Sequence, residues 1–189
     1  SRLKEIDNEM KIGKVKWRNI FYEERNVKKT FTNTEGTELM NEEIGINCYF
    51  NAVAKGHGVI QSGSQSMGNV CGYELMRSID NEAVKASKTA NELLTADLPK
   101  AGNYTVIVDN EMAGLLAHEA IGHACEADLI MTESILSGKI EKKIASSLVT
   151  LIDDPTMKGN GHYTYDDEGV RAQRNILIKD GRLVGYLHN

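Results

Sequence analysis

The sequence predicts an α+β fold: an antiparallel β-meander with packed helices, then a strand–helix segment carrying a His-Glu-x-x-x-His motif, then a C-terminal β-hairpin. Three observations predict it. From Lys14 to about Gly68 the chain alternates in polarity and is rich in β-branched residues, which is the signature of strands. Between Ser78 and Ala96 the apolar period lengthens to that of a helix. Further on, Lys179-Asp180-Gly181-Arg182 separates two short apolar runs, a hairpin signal.

The elements follow in order. Leu3, Ile6 and Met10 are spaced three and four apart, as at the end of a helix. Val15, Trp17 and Phe21-Tyr22 lie in a first strand and residues 27–32 in a second, with Asn33-Thr34-Glu35-Gly36 as a turn. Residues 43–54 and 58–66 form another pair joined by Lys55-Gly56-His57-Gly58, so the meander has about four strands. The next helix sets Ile79, Ala83, Ala86, Ala90 and Leu93 on one stripe, whose small alanines suit close packing on a sheet. After a linker over residues 98–103, residues 104–108 read as a short apolar strand. Asp109 or Asn110 can cap the following helix, and Glu111 favours the positive end of its dipole. That helix carries the histidines.

Residues 132–147 are ambiguous, and residues 148–152 read as a strand broken by Asp153-Asp154-Pro155. Residues 176–178 and 183–187 flank the hairpin turn. Residues 1–97 therefore read as part of an N-terminal α+β domain. Residues 98–189 read as the motif helix and the start of a C-terminal β-rich domain. Residues 182–189 run strand-like to the last one, and with no initiator Met the chain reads as a piece of a longer protein.

Composition narrows the function classes. A 189-residue chain with 41% hydrophobic residues can bury an ordinary core. Its 22 basic and 27 acidic residues give a net charge of -5 without a basic stripe, which argues against nucleic-acid binding. Cys48, Cys71 and Cys125 form no Cys-x-x-Cys pair, as expected of reduced thiols in a cytoplasmic protein. No apolar run is long enough for a signal or a membrane span, so a soluble protein is expected.

Residues 118–123 read His-Glu-Ala-Ile-Gly-His. Metal-dependent hydrolysis needs neutral nitrogen ligands, an open position for water and a carboxylate to take the water's proton. His118, His123 and Glu119 supply most of that set. The familiar zinc-protease helix spaces its histidines one residue closer, as His-Glu-x-x-His. On a regular helix, at about 100° per residue, His118, Gly122, Glu126, Glu119 and His123 share one face, but the two histidine Cβ atoms stand roughly 10 Å apart. A π-bulge brings positions i and i+5 nearly into line, and Gly122 is placed to tolerate one. The spacing thus predicts an irregular helix between Glu119 and His123.

Alternatives stay open at this point. The histidines could be structural, satisfied by neighbouring carbonyls. Glu119 could be a third ligand instead of a base, and Glu126 a ligand or a partner that orients an imidazole. Cys125 points away from the motif face and suits core packing. His57, His162 and His188 read as surface or loop histidines, and Asp166-Asp167-Glu168-Gly169 as a solvated turn or, alternatively, as acidic side chains facing the metal cleft or a substrate amine.

Beyond spacing, the chain resembles the TldD side of the TldD/PmbA family, also called modulators of DNA gyrase. The resemblance runs through Leu93-Leu94-Thr95-Ala96 and Ala101-Gly102-Asn103-Tyr104-Thr105-Val106-Ile107-Val108 to Gly114-Leu115-Leu116-Ala117-His118-Glu119-Ala120-Ile121-Gly122-His123. It continues in Glu126-Ala127-Asp128, Asp166-Asp167-Glu168-Gly169, Gln173-Arg174, Leu177-Ile178, Gly181-Arg182-Leu183 and Gly185-Tyr186, covering roughly residues 79–189. The resemblance implies a peptidase for unfolded or extended peptides, with a zinc or iron ion held by His118 and His123 while Glu119 activates water. It implies a third ligand, a Cys, from a C-terminal region beyond this sequence, so that these residues alone lack a complete site. It also implies a dimer, with an identical copy or with a motif-less TldE/PmbA-like relative. The rival reading is a non-catalytic subunit that binds peptides or another protein.

Overall fold

The computed structural model describes residues 1–188, and the chain divides into two compact units. The first is Ser1–Ala101 with Lys158–His162, and the second is Gly102–Met157 with the residues from Tyr163 onward. The α+β class expected from the sequence is the class observed: the described residues form two antiparallel sheets and four α-helices.

The first unit is a three-stranded meander covered by helices. Helix α1 (Arg2–Glu9) leads into β1 (Val15–Thr32), β2 (Glu38–Gly56) and β3 (Val59–Asn69), which pair in that order. The meander has three long strands, not about four. The expected break at residues 23–26 does not occur, because Glu23, Glu24, Arg25 and Asn26 face Asn47, Ile46, Gly45 and Ile44 in an unbroken ladder. Polar side chains do not end a strand when the neighbouring strand supplies every backbone partner.

Alternate residues of β2, namely Ile46, Cys48, Phe50, Ala52 and Ala54, are buried on one face. Against that face lies α2 (Asp80–Glu92), through Ala83, Ala86 and Ala90. The helix comes so close at Gly63 that a Cβ there would overlap the Ala86 carbonyl and sit 2.7 Å from the Ala90 amide nitrogen. At the helix end the buried leucine is Leu94; Leu93, expected on the stripe, is exposed. Buried Ser87 donates to the Met10 carbonyl at 2.9 Å. Asn91 accepts from the Lys14 amide at 2.7 Å and donates to the Ile12 carbonyl at 3.1 Å, which pins the start of β1.

The second unit is built on a small core of Cys125, Leu136, Leu177, Ile178 and Leu183. Its sheet joins β4 (Leu151–Asp153), β5 (Asn175–Lys179) and β6 (Arg182–Leu183). The hairpin predicted at Asp180-Gly181 is present, with φ of 48° and 78° at the two turn residues, the mirror-image turn that matches strand twist. Three strand expectations are corrected. Residues 148–152 yield a strand only from Leu151. The run expected over residues 183–187 stops at Leu183, after which Leu187 makes an isolated parallel bridge to Glu126; Asn189, the last residue of the strand-like run expected over residues 182–189, lies outside the described residues.

Residues 104–108 form no strand and leave Val106 and Ile107 exposed. Apolar, β-branched composition favours extended backbone, but a strand needs a second row of donors and acceptors. No strand of the described residues lies alongside to supply it.

Candidate metal centre

The motif is assembled by a helix that changes type twice. Asp109 caps it, accepting the Met112 amide at 2.8 Å. Helix α3 (Asn110–Leu116) then passes into a π-turn over Ala117–Gly122 and a single 3-10 turn over His123–Cys125. The irregularity predicted from the five-residue spacing falls on the motif itself. Gly122 is not required for it: the residue sits in ordinary helical backbone, and a Cβ there would meet only the Ala117 carbonyl at 3.5 Å and His118 Nδ1 at 4.0 Å. The helix also ends earlier than a wheel through Glu126 assumes, because Glu126 is extended, at φ -65° and ψ 131°. A fourth helix, α4 (Ala127–Met131), follows it.

The π-turn brings the imidazoles together. The rings of His118 and His123 meet edge to face, with centroids 4.5 Å apart. One candidate ligand atom from each of His118, Glu119 and His123 lies within 4.8 Å of the other two. His123 Nε2 is 3.8 Å from Glu119 Oε2, and His123 Nδ1 is 2.8 Å from Glu126 Oε1. The side chains of His123, Glu119 and Glu126 are 47%, 61% and 38% exposed, which leaves them open to solvent and ligand. Both histidines are exposed, in contrast to the alternative of partly buried structural histidines.

This donor set fits a divalent cation of borderline softness, since two imidazoles and a carboxylate are ordinary ligands of zinc and iron(II). Cys125 is fully buried, and burial pushes its thiol pKa up, away from the thiolate a metal requires. His118 and Glu126 face a hollow of about 390 Å³ that is also lined by Gly122, Leu151, Asp153 and Leu177. Asp153 is the residue that sequence reasoning missed. It reads there only as a strand breaker, and no spacing signal links it to the motif.

Other candidates lie elsewhere. Asp166 accepts the amides of Glu168 and Val170 at 2.9 and 2.8 Å, so the acidic run is a turn closed by Asp166, with Gly169 at φ 81°. His57 occupies the turn between β2 and β3, and His188 is exposed. His162 belongs to the first unit, near Glu43.

A solvent-open cluster of two histidines and a glutamate on one helix defines a protein with the donor set of a metallohydrolase. Residues 1–94 match the PmbA/TldA metallopeptidase central domain, and residues 101–189 match the PmbA/TldA metallopeptidase C-terminal domain. The chain belongs to the PmbA/TldD family. It is 40% identical over 90% of its length to a metalloprotease of Methanothermobacter thermautotrophicus, of which it covers 38%. A zinc metalloprotease TldD homolog of Saccharolobus solfataricus is 27% identical over 92% of the chain and 40% of the relative. Among solved structures, a proposed modulator of a DNA gyrase from Thermotoga maritima superposes with a TM-score of 0.88, at 24% identity, over all of this chain and 44% of the other. The chain thus spans about two fifths of the relatives it matches.

Proposed function

We propose that the protein is a metal-dependent peptidase acting on unfolded or extended peptides. The observation that carries this reading is the π-turn, which gathers His118, Glu119 and His123 on one open face. His118 and His123 would hold one divalent ion, zinc or iron. Such an ion supplies Lewis acidity, which makes water a stronger nucleophile and polarises a peptide carbonyl. Glu119 acts as the general base: it takes a proton from the attacking water and returns it to the leaving amine, so that water adds across the C–N bond.

The third ligand is a cysteine from the part of the protein beyond these residues, which alone are inactive. A catalytic zinc usually has three protein ligands, and Cys125, the cysteine nearest in sequence, is buried. Residues 1–97 and 98–189 are then parts of two domains of a longer protein. It works as a dimer, with an identical copy or a motif-less relative, in the cytoplasm, where three unpaired thiols are at home.

The test is metal analysis and peptide cleavage with the intact protein and its His118→Ala variant. The expected result is one divalent ion per chain and cleavage of a denatured protein substrate in the first, and neither in the second. No bound metal in either would overturn the reading in favour of a peptide-binding subunit.

A further inference from the structure

We infer that Glu126 is the positioning residue of His123, and that the backbone bonds of Leu187 to the residues on either side help to hold Glu126 in place. The inference rests on the metal-centre reading above and assigns a role that reading does not contain. His123 Nδ1 lies 2.8 Å from Glu126 Oε1. An ionised carboxylate only accepts hydrogen bonds, so Nδ1 carries the ring proton and donates it. In the neutral ring the lone pair is then on Nε2. That nitrogen is the one 3.8 Å from Glu119 Oε2, on the side of the candidate ligand cluster. An imidazole in water with no partner divides its proton between the two nitrogens, and a half-exposed ring also rotates. A carboxylate on Nδ1 removes both freedoms at once.

The place of Glu126 in the backbone explains why its carboxylate stays there. The residue is extended, between the end of the motif helix and the start of α4. On one side the carbonyl of fully buried Cys125 accepts the Leu187 amide at 2.8 Å; on the other, the Ala127 amide donates to the Leu187 carbonyl at 2.8 Å. Glu126 is thus clamped between two sheet-type hydrogen bonds from one residue. Its own amide still reaches the His123 carbonyl at 3.2 Å, which keeps the two side chains on one side.

The test has two readouts on the full-length protein. In the metal-free protein, nitrogen-15 NMR of the histidine rings is expected to show His123 protonated on Nδ1. Glu126→Gln should keep that state, because the amide oxygen also accepts, and Glu126→Ala should lose it. Zinc affinity, measured by competition with a chromophoric chelator, is expected to fall about 10- to 100-fold in Glu126→Ala and to stay near that of the unmodified protein in Glu126→Gln. Unchanged affinity in Glu126→Ala overturns the inference. So does a loss in Glu126→Gln as large as in Glu126→Ala, since Glu126 would then be a ligand. Should Glu126→Ala not fold, the unmodified protein decides, because an Nε2-protonated His123 overturns the inference by itself. His118→Ala separates the two levels: if it binds zinc normally the metal centre itself fails, and if it alone loses zinc only the positioning role fails.

Discussion

Two residues separate the proposed chemistry of the motif helix from its geometry. Glu119 is exposed beside the first histidine and is the base of the proposed mechanism, so Glu119→Ala in the intact protein should lower kcat by about 10²- to 10⁴-fold. Bound metal, measured by atomic emission, should remain near one ion per chain; retained turnover would remove Glu119 from the mechanism. Asp109 acts on geometry alone, because its carboxylate satisfies the Met112 amide at the start of α3. Asp109→Ala should cost about 1 kcal/mol, read as faster hydrogen exchange at the Met112 amide and a lower Tm.

At the level of elements, the tightest fit is α2 on β3 at Gly63. There a methyl group meets helix backbone, which cannot swing aside as a side chain can. Gly63→Ala should therefore destabilise the protein by about 1–3 kcal/mol in urea unfolding. The control is Gly114→Ala, where a Cβ meets nothing within 4 Å and the helix should gain up to about 1 kcal/mol. Much of this level was legible in the sequence. The alanine stripe of α2, the Asp180-Gly181 hairpin and the distorted turn between the histidines all follow from local periodicity or spacing. The unbroken β1 was not legible, because the continuity of Glu23 to Asn26 depends on partners some 20 residues away in β2. Residues 104–108 show the converse, a strand-like composition without a ladder. Asp153 reaches the hollow beside His118 only through the pairing of β4 with β5, a long-range fact with no local signal.

For the molecule as a whole, the chain is mildly acidic, and no helix among the described residues is long and apolar enough to cross a membrane. One ion pair ties the first helix to the first strand: Arg18 Nε donates to Asp7 Oδ1 at 2.7 Å, and the guanidinium holds the Asp7 carboxyl below its ordinary pKa. A depressed folded-state pKa makes a contribution that is complete above the unfolded value, near pH 4, and is lost as pH falls through the folded value. Asp7 is partly exposed, so the contribution is no more than about 1 kcal/mol. Comparing Tm for the native chain and Asp7→Asn should show a gap at pH 7 that narrows as pH falls below the unfolded value and closes below the folded one. A gap of the same size at low pH would assign it to packing.

The π-turn also acts as a phase shifter. Upstream, α3 is capped by Asp109; downstream, the helix must deliver Cys125 into the core and release Glu126 to its bridge with Leu187. Removing one residue between the histidines would restore the four-residue spacing of an ordinary α-turn, and the two imidazoles could still meet. The two ends of the helix would then be out of step by about 100°, so the face that α3 presents and the burial of Cys125 could not both be kept. The motif's length is therefore set by the core behind it as well as by the meeting of the two imidazoles in front of it.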